Sequence, residues 1–197
     1  YCIWKWVPTH CSKFKSVYPH KILEFGPLSV GGFFGDYEIT GETGEGTTGK
    51  IFECTKCDHP HKFCLKVLNK RKLLSTKAMM RVSAELDFLQ NEDSNELHEK
   101  NILPILEVIH SKYSMCYMME LFGINLFHFS TTVVEDTGTH LKNSLKVIRE
   151  ISVALQHTHS HGYAHRDIKG ENILVQQTSD GQLITNIRLI DFGIICR

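Results

Sequence analysis

The sequence predicts an α+β fold, in which strands and helices form separate blocks instead of alternating regularly. Alternating apolar residues, typical of strands, occupy most of residues 36–67. Two helical stretches follow at 75–90 and 141–162, with two further strands between them. A hairpin signal then precedes a last strand, so the predicted order is strands, helix, strands, helix, hairpin.

Composition places the chain among ordinary globular proteins. Its 197 residues suffice for one large or two small domains, with 42% apolar and 22% charged residues. The formal net charge is zero and the pI is near 7.3. We therefore expect neither direct nucleic-acid binding nor attraction to an anionic membrane.

The amino-terminal sequence and the cysteines bear on the compartment. No apolar run approaches the roughly 20 residues that span a bilayer, and lysines interrupt the apolar part of "YCIWKWVPTHCSKF". The seven cysteines are an odd number without an apparent disulfide framework. We expect a reducing compartment, cytoplasmic or nuclear. Because the sequence does not begin with Met, we also expect a processed chain or a part of a longer one.

The first block is predicted to follow an irregular arm at residues 1–35. The segments "YEIT", "KIFECT" and "KFCLKVL" alternate as strands around a glycine cluster and a turn at "CDHPH". A helix then begins near Ser75 or Thr76, either of which can cap it. Its predicted stripe consists of Ala78, Val82, Glu85, Leu86 and Leu89.

The second block begins with two strands, "NILPILEVIH" and "SMCYMMEL". A long helix follows and ends at Gly162, and its apolar face consists of Leu141, Leu145, Ile148, Ile151 and Leu155. Residues 179–181, "SDG", indicate a hairpin tip. The segment "NIRLIDFGII" is predicted to be the final strand.

The glycine cluster has the pattern Gly44-x-Gly46-x-x-Gly49 between two strands. Glycine lets backbone amides approach a phosphate chain closely. A plain hairpin turn is an equal alternative for the pattern alone. A dinucleotide-binding interpretation fails, because it needs a helix directly after the glycines.

Two charged residues occur where apolar ones are expected. Lys66 lies between Leu65 and Val67 on a predicted strand, and Glu85 lies within the apolar stripe of the next helix. Taken singly, Lys66 could face solvent on an edge strand, and Glu85 could lie at the margin of its stripe. Together they indicate an ion pair between strand and helix, since a buried lone charge is strongly penalised.

The segment "YAHRDIKGENILV" concentrates acid, base and amide groups between two apolar stretches. Such groups are costly to bury unless they pair or bind a ligand. Asp167, Asn172 and Asp191 offer the oxygen atoms that Mg²⁺ prefers. Asp167 beside Lys169 is suited to orienting a hydroxyl next to a transferring phosphoryl group.

The four blocks "GEGTTGKI", "FCLK" with Glu85, "HRDIKGEN" and "DFG" resemble the eukaryotic protein kinases in order and spacing. The resemblance covers residues 37–197. It implies a two-lobed fold with a complete β-rich small lobe containing one helix, and with only the first part of the helical lobe. The predicted division is an arm at 1–35, a small lobe at 36–120, and the hinge with the start of the large lobe at 121–197.

The resemblance also implies ATP and Mg²⁺ as cofactors and a role for each matching residue. Lys66, paired with Glu85, would hold the α- and β-phosphates. Asp167 would orient the substrate hydroxyl and Lys169 would steady the γ-phosphate, while Asn172 and Asp191 would bind Mg²⁺. The backbone covering the phosphates would be that of Thr43, Gly44, Glu45, Gly46, Thr47, Thr48, Gly49 and Ile51.

Other matching positions would surround adenine. Met119 would lie at the back of the pocket, Glu120 to Phe122 would form the hinge, and Cys64 with Leu174 would sandwich the ring. Lys169, two places after Asp167, is similar to the serine/threonine class, whose partners would be ATP and a protein with a Ser or Thr hydroxyl. "LFGINLFHF" and "GEGTTGKIFEC" are similar to LAMMER (Cdc2-like) and neighbouring dual-specificity kinases.

Three features depart from the usual kinase pattern. Thr48 replaces an aromatic residue at the tip of the glycine-rich loop, and Gly170 replaces a common Pro. The segment between Val175 and Asp191 is longer than usual.

A competing motif lies in "CTKCDHPHKFC", where Cys54, Cys57, His59, His61 and Cys64 are spaced like a zinc knuckle. The kinase interpretation places Cys64 in the adenine pocket, so it cannot close a tetrahedral site with the others. Cys54, Cys57 and a histidine could still bind metal at the hairpin. The alternative that we favour is a hairpin with ordinary thiols.

The sequence ends four residues after Gly193, whereas kinases continue with an activation segment and substrate-binding helices. We therefore expect a fragment or a shortened product, with the apolar face of the long helix left uncovered. Two functions remain open: an ATP-dependent Ser/Thr kinase, or a nucleotide-binding or interaction module without transfer activity.

Overall fold

The computed structural model describes residues 21–22, 28–45, 49–57, 59–133 and 136–196. In these ranges the strands and helices form separate blocks, so the α+β prediction is confirmed. None of the described helices is both long enough and apolar enough to cross a membrane.

The larger sheet has seven strands in the order β1-β6-β7-β5-β4-β3-β2. Neighbours are antiparallel except for β1 and β6, which are parallel. Two of its short strands come from the predicted irregular arm, so that prediction is wrong for these residues. The strands are β1 (Lys21–Ile22), β2 (Phe33–Phe34), β3 (Tyr37–Glu45), β4 (Gly49–Lys56), β5 (Lys62–Asn69), β6 (Glu107–His110) and β7 (Ser114–Glu120).

The side chains of strand β5 point alternately to the two faces of the sheet. Phe63 and Leu65 point into a core formed by strands β2 to β7. Because side chains alternate along a strand, Cys64, Lys66 and Leu68 point to the opposite face, where Leu68 joins the larger core. The alternation therefore directs the Lys66 ammonium toward the interior between the sheet and the helices.

Each of the four α-helices in the described ranges begins at a polar capping side chain. Ser75, Asp93, Asn125 and Asp136 accept hydrogen bonds from backbone amides of the first turn. The helices are α1 (Thr76–Asn91), α2 (Ser94–Glu99), α3 (Leu126–Thr132) and α4 (Thr137–Ser160). The sequence predicted α1 and α4, although α4 begins four residues earlier than expected, and it did not predict α2 or α3.

A smaller sheet contains β8 (Ile124–Asn125), β9 (Ile173–Gln177) and β10 (Ile184–Leu189) in the order β10-β9-β8. The predicted hairpin joins β9 to β10, and Gly181 at its tip has a φ of 75°. Asn143 of α4 contacts the start of β10: its Nδ2 donates to the Gln182 carbonyl, and its Oδ1 accepts from the Ile184 amide. At the other end, the Leu189 carbonyl accepts from the Leu103 amide.

Two predicted strands were too long. "NILPILEVIH" forms a strand only over Glu107–His110, and before it Ile102 forms one isolated bridge to Leu189 of β10. The last strand ends at Leu189. Asp191 therefore lies beyond the ladder, in a left-handed conformation with a φ of 61°.

One core cluster joins the large sheet to α1, α4 and the small sheet, through residues such as Leu68, Phe88, Ile151 and Ile187. The predicted apolar face of α4 contributes only its carboxyl-terminal half. Ile151 is buried, whereas Leu141 and Leu145 are each 58% exposed and Ile148 is 64% exposed. The expectation of an uncovered face is confirmed for this part of α4.

Candidate functional site

Lys66 is the central cation of the candidate site. Its Nζ lies 2.9 Å from Asp191 Oδ1 and 3.9 Å from Glu85 Oε1. Strand β5 lies between β4 and β7, so the edge-strand alternative for Lys66 is wrong. Glu85 is only 4% exposed, so the alternative of a carboxylate at the margin of its stripe is also wrong. The predicted strand-to-helix pair is present, with Asp191 as a second partner.

The electrostatics of this triad follow from burial and charge. Burial alone would lower the pKa of Lys66, but the carboxylates of Glu85 and Asp191 outweigh it and raise the pKa. Burial raises the pKa of Glu85 although Lys66 opposes the shift. Asp191 shows the reverse balance: burial opposes the shift, but the Lys66 ammonium holds its pKa below the usual range. Lys66 is therefore fully charged near neutral pH.

Tyr117 lies opposite Lys66 on β7 and is fully buried. Its buried hydroxyl lies next to the Glu85 carboxylate. Burial and the nearby charge of Glu85 raise the pKa of Tyr117 well above its usual value. Nothing in the sequence singles out Tyr117, because a Tyr on an apolar strand is an ordinary core residue.

Asp167 lies in the loop between α4 and β9 and is held by two neighbours. Lys169 Nζ lies 2.8 Å from its Oδ2, and Asn172 Nδ2 donates to the same oxygen at 2.9 Å. The Lys169 contact, which burial opposes, lowers the pKa of Asp167. Asp167 is therefore an anion with one of its oxygens fixed in direction.

Asn172 holds the loop by two further bonds. Its Nδ2 also donates to the Asp167 carbonyl, and its own carbonyl accepts from the Ile190 amide at 3.0 Å. Asn172 is buried and directly precedes β9. The residue thus connects the Asp167 loop to the segment that carries Asp191, which brings the predicted Mg²⁺ ligands into one region.

His165 also fixes this loop, although the sequence analysis assigned it no role. Its Nε2 donates to the Ile190 carbonyl at 3.0 Å, and its Nδ1 accepts from the Asp167 amide at 3.2 Å. These partners require the neutral tautomer that carries hydrogen on Nε2. Burial lowers the pKa of His165, which favours that neutral form. The ring also packs edge-on against Phe192, 4.6 Å between centroids.

The glycine-rich turn joins β3 to β4, so a strand follows the glycines as predicted. Gly49 pairs with Leu68 of β5, and a Cβ atom at Gly49 would lie 1.6 Å from the Val67 carbonyl oxygen. Thr43 Oγ1 donates to the Ile51 carbonyl at 3.3 Å, which ties the two strands together. The predicted phosphate-covering residues Gly46, Thr47 and Thr48 lie outside the described residues, and of Glu45 the structure describes the backbone.

The predicted adenine-site residues come from three strands and their connections. Cys64 and Met119 pair directly across β5 and β7. Glu120 ends β7 and is half-buried, and Phe122 is buried beneath Arg188, whose guanidinium carbon lies 5.0 Å from the ring centroid. Leu174 is half-buried on β9. Their assignment to adenine stays a prediction.

The described cysteines of the hairpin lie in different environments. Cys54 is buried in the sheet core while Cys57 is exposed. Burial raises the pKa of Cys54 to about 12 and that of Cys64 to about 11, so both thiols stay protonated and are poor zinc ligands. Among the described residues, no three metal-ligating side chains of this hairpin meet.

The donor set fits a hard dication and a phosphate chain. Asp191 and Asp167 carry carboxylates that are 43% and 33% exposed, next to the amide of Asn172. Carboxylate and amide oxygens are typical Mg²⁺ ligands. The ammonium groups of Lys66 and Lys169 supply positive charge on either side of this set, as polyphosphate binding requires.

Comparison with known proteins agrees with this geometry. A family model of the protein kinase domain matches residues 37–197. The chain is 27% identical over 167 residues to the carbon catabolite-derepressing protein kinase of Saccharomyces cerevisiae, covering 85% of this chain and 24% of that protein. It is 29% identical over 159 residues to a probable myosin light chain kinase of Dictyostelium discoideum, covering 80% and 38%.

A third relative is the hormonally up-regulated neu tumor-associated kinase homolog of Xenopus tropicalis. It is 30% identical over 165 residues, covering 81% of this chain and 21% of that protein. The chain thus spans about a quarter of the length of the first relatives that it matches. Because the family model covers most of the chain, this chain belongs to the protein kinase family.

Proposed function

We propose that this chain forms the nucleotide-binding part of a protein serine/threonine kinase, which transfers the γ-phosphoryl group of ATP to a protein hydroxyl. The observation that carries the proposal is the contact between Lys66 and Asp191, which joins the small-lobe sheet to the segment after β10. Asp167, with one oxygen fixed by Lys169 and Asn172, lies in the loop that Asn172 connects to this segment.

Each residue has a role that its position supports. Lys66 would bind the α- and β-phosphates, and the backbone from Thr43 to Ile51 would cover them. Asp167 would accept a hydrogen bond from the substrate hydroxyl and so orient the hydroxyl oxygen toward the phosphorus atom. Orientation of this kind supplies much of the catalysis in phosphoryl transfer. Mg²⁺, when bound by Asn172 and Asp191, neutralises phosphate charge.

Two facts support the serine/threonine type. Lys169 follows Asp167 by two residues and contacts its carboxylate at 2.8 Å, as the resemblance to that class implies. The yeast and Dictyostelium relatives are named as a carbon catabolite-derepressing kinase and a probable myosin light chain kinase. A position near the LAMMER kinases stays a prediction.

Binding of Mg·ATP to the whole chain is the first test, measured by isothermal titration calorimetry. Lys66→Met should abolish detectable binding because it removes the phosphate-binding ammonium. Lys62→Met is the matched control, since Lys62 lies on the same strand but its side chain is 58% exposed and pairs with Glu53 at 2.6 Å. Equal binding by the wild-type and Lys66→Met chains would contradict the proposed site.

Phosphoryl transfer is the second test, measured with radiolabelled ATP and a generic basic protein. Asp167→Asn should leave Mg·ATP binding nearly intact but lower transfer about 10²- to 10⁴-fold, the usual effect of a positioned acid–base group. A chain that binds Mg·ATP without any transfer would favour the alternative, a nucleotide-binding or interaction module without transfer activity.

A further inference from the structure

Helices α1 and α4 end side by side, and three metal-ligating side chains meet there. Glu92 is the carboxyl-terminal cap of α1, His161 is the cap of α4, and His157 lies one turn before it. Their ligand atoms all lie within 4.8 Å of one another. Elsewhere in the described ranges, no three His, Cys, Asp or Glu side chains meet this closely.

Each oxygen of the Glu92 carboxylate faces one imidazole. His161 Nε2 lies 3.2 Å from Glu92 Oε1, and His157 Nε2 lies 3.9 Å from Glu92 Oε2. The two histidines are four residues apart on a helix, so they share one face, and their ring centroids are 4.4 Å apart. The three donors therefore surround a common point.

The hydrogen bonding of His161 prepares its Nε2 for a cation. Its Nδ1 lies 2.8 Å from the His157 carbonyl oxygen, which can only accept, so Nδ1 carries a hydrogen. In the neutral ring, Nε2 then directs a lone pair at the Glu92 carboxylate. Metal-ligating histidines typically donate their other N–H to a carbonyl in this way. Either a proton on Nε2 or a metal ion must lie between these two groups.

His157 distinguishes between a proton and a metal ion at this position. Its side chain is only 5% exposed, and its Nε2 is buried with no hydrogen-bond partner in the described structure. The 3.9 Å to Glu92 is too long for a hydrogen bond. An ion pair of His161 with Glu92 leaves this buried nitrogen without a partner, whereas a metal ion would use its lone pair.

We propose that Glu92, His157 and His161 bind a zinc ion that ties the end of α1 to the end of α4. Two imidazole nitrogens and one carboxylate oxygen are a common zinc donor set, with water completing a tetrahedron. Phe88 covers one side, with its ring centroid 6.3 Å from that of His157 and 6.4 Å from that of His161. Because α1 also carries Glu85, the zinc ion would hold the helix that faces Lys66.

The whole chain, freed of metal with EDTA, is titrated with Co²⁺ as a spectroscopic substitute for Zn²⁺. We expect one equivalent to produce the visible bands of four-coordinate Co²⁺ and one equivalent of Zn²⁺ to remove them. Zn²⁺ should also raise the melting temperature, since it binds the folded state. Glu92→Gln and His161→Gln should each weaken Zn²⁺ binding at least about tenfold.

His159→Gln is the matched control, because His159 is an exposed histidine of the same helix outside the cluster. It should leave the affinity and the Co²⁺ spectrum unchanged. The side chains of Glu92 and His161 are 15% and 35% exposed, and far-UV circular dichroism checks that both variants fold. Zn²⁺ affinity unchanged in both variants would place the binding elsewhere and overturn the proposal. A folded wild-type chain that binds no Zn²⁺ would overturn it too, leaving a His161–Glu92 ion pair only.

Discussion

The Lys66 ammonium lies 2.9 Å from Asp191 although 125 residues separate the two along the chain. The same ammonium lies 3.9 Å from Oε1 of Glu85, which is nearly inaccessible to solvent. One cation therefore balances two carboxylates from different parts of the fold, and it contributes to stability as well as to nucleotide binding.

Lys66→Met should lower the free energy of unfolding by about 2 kcal/mol, because it leaves the Glu85 carboxylate buried without a cation. This expected loss of unfolding free energy is smaller than the loss on breaking a fully buried ion pair, because Glu85 can take up a proton when Lys66 is replaced. Lys66→Met/Glu85→Gln should recover part of the loss, since the double variant buries no lone charge. Urea denaturation measures both, and a double variant no more stable than the single one would contradict this explanation.

Two glycines of the same turn should respond differently to alanine. A Cβ atom at Gly49 would lie 1.6 Å from the Val67 carbonyl oxygen, whereas a Cβ atom at Gly44 has nothing within 4 Å. Gly49→Ala should therefore destabilise the chain by more than about 2 kcal/mol through displacement of β4 from β5, and Gly44→Ala by less than about 0.5 kcal/mol. Thermal denaturation compares them, and equal effects would show that the turn adapts freely.

The exposed part of α4 should govern solubility rather than stability. Replacing Leu141, Leu145 and Ile148 together by glutamine should reduce the fluorescence of a bound apolar dye and the light scattering on heating. The free energy of unfolding should change little, because these side chains gain little from folding. Ile151→Gln on the same helix is the contrast: Ile151 is 6% exposed, so its loss should cost about 3 kcal/mol. Undiminished dye binding in the triple variant would show that the apolar surface lies elsewhere.

Stability should fall as the pH drops from about 6.5 towards 5. Burial lowers the pKa values of His157 and His165 in the folded chain, whereas an unfolded histidine has a pKa near 6.5. Each therefore contributes stability that is fully present above about pH 6.5. That stability is lost as the pH falls towards the folded value, by up to about 1.4 kcal/mol per pH unit and histidine.

Urea denaturation at several pH values, with EDTA present, measures this decline. His157→Gln should make it shallower, because one of the two buried imidazoles is gone. His159→Gln removes an exposed histidine and should leave the slope as it is. Stability that does not change between pH 7.5 and 5.5 would contradict the expected burial of neutral imidazoles.

Local signals were sufficient for the elements with a clear period. Ser75 caps α1 as expected, and the alternation around Lys66 predicted the correct strand. Helices α2 and α3 were missed because they have six and seven residues, too few to display an apolar period. Their caps, Asp93 and Asn125, were the available signs. The two-residue strand β1 is defined by its pairing with β6, and two residues are too few to show an alternating sequence pattern.

The site was predicted as a set of residues but not as a network. The motifs identified Lys66, Asp167 and Asp191, because charge within apolar sequence is informative. Spacing could not show that Asp191 is closer to Lys66 than Glu85 is, since that depends on where β10 ends. His165 was overlooked for the same reason: its role comes from the Ile190 carbonyl, 25 residues further along the chain.

The two contacts at the ends of β10 also bear on self-association. β10 is an outer strand of the small sheet, and an outer strand offers unpaired amides and carbonyls to any extended peptide that approaches. Asn143 already bonds to Gln182 and Ile184 at one end, and Leu103 bonds to Leu189 at the other. A foreign strand would have to displace a side chain of α4 before it could align with β10. The fold thus limits intermolecular β-pairing at the two ends of this strand.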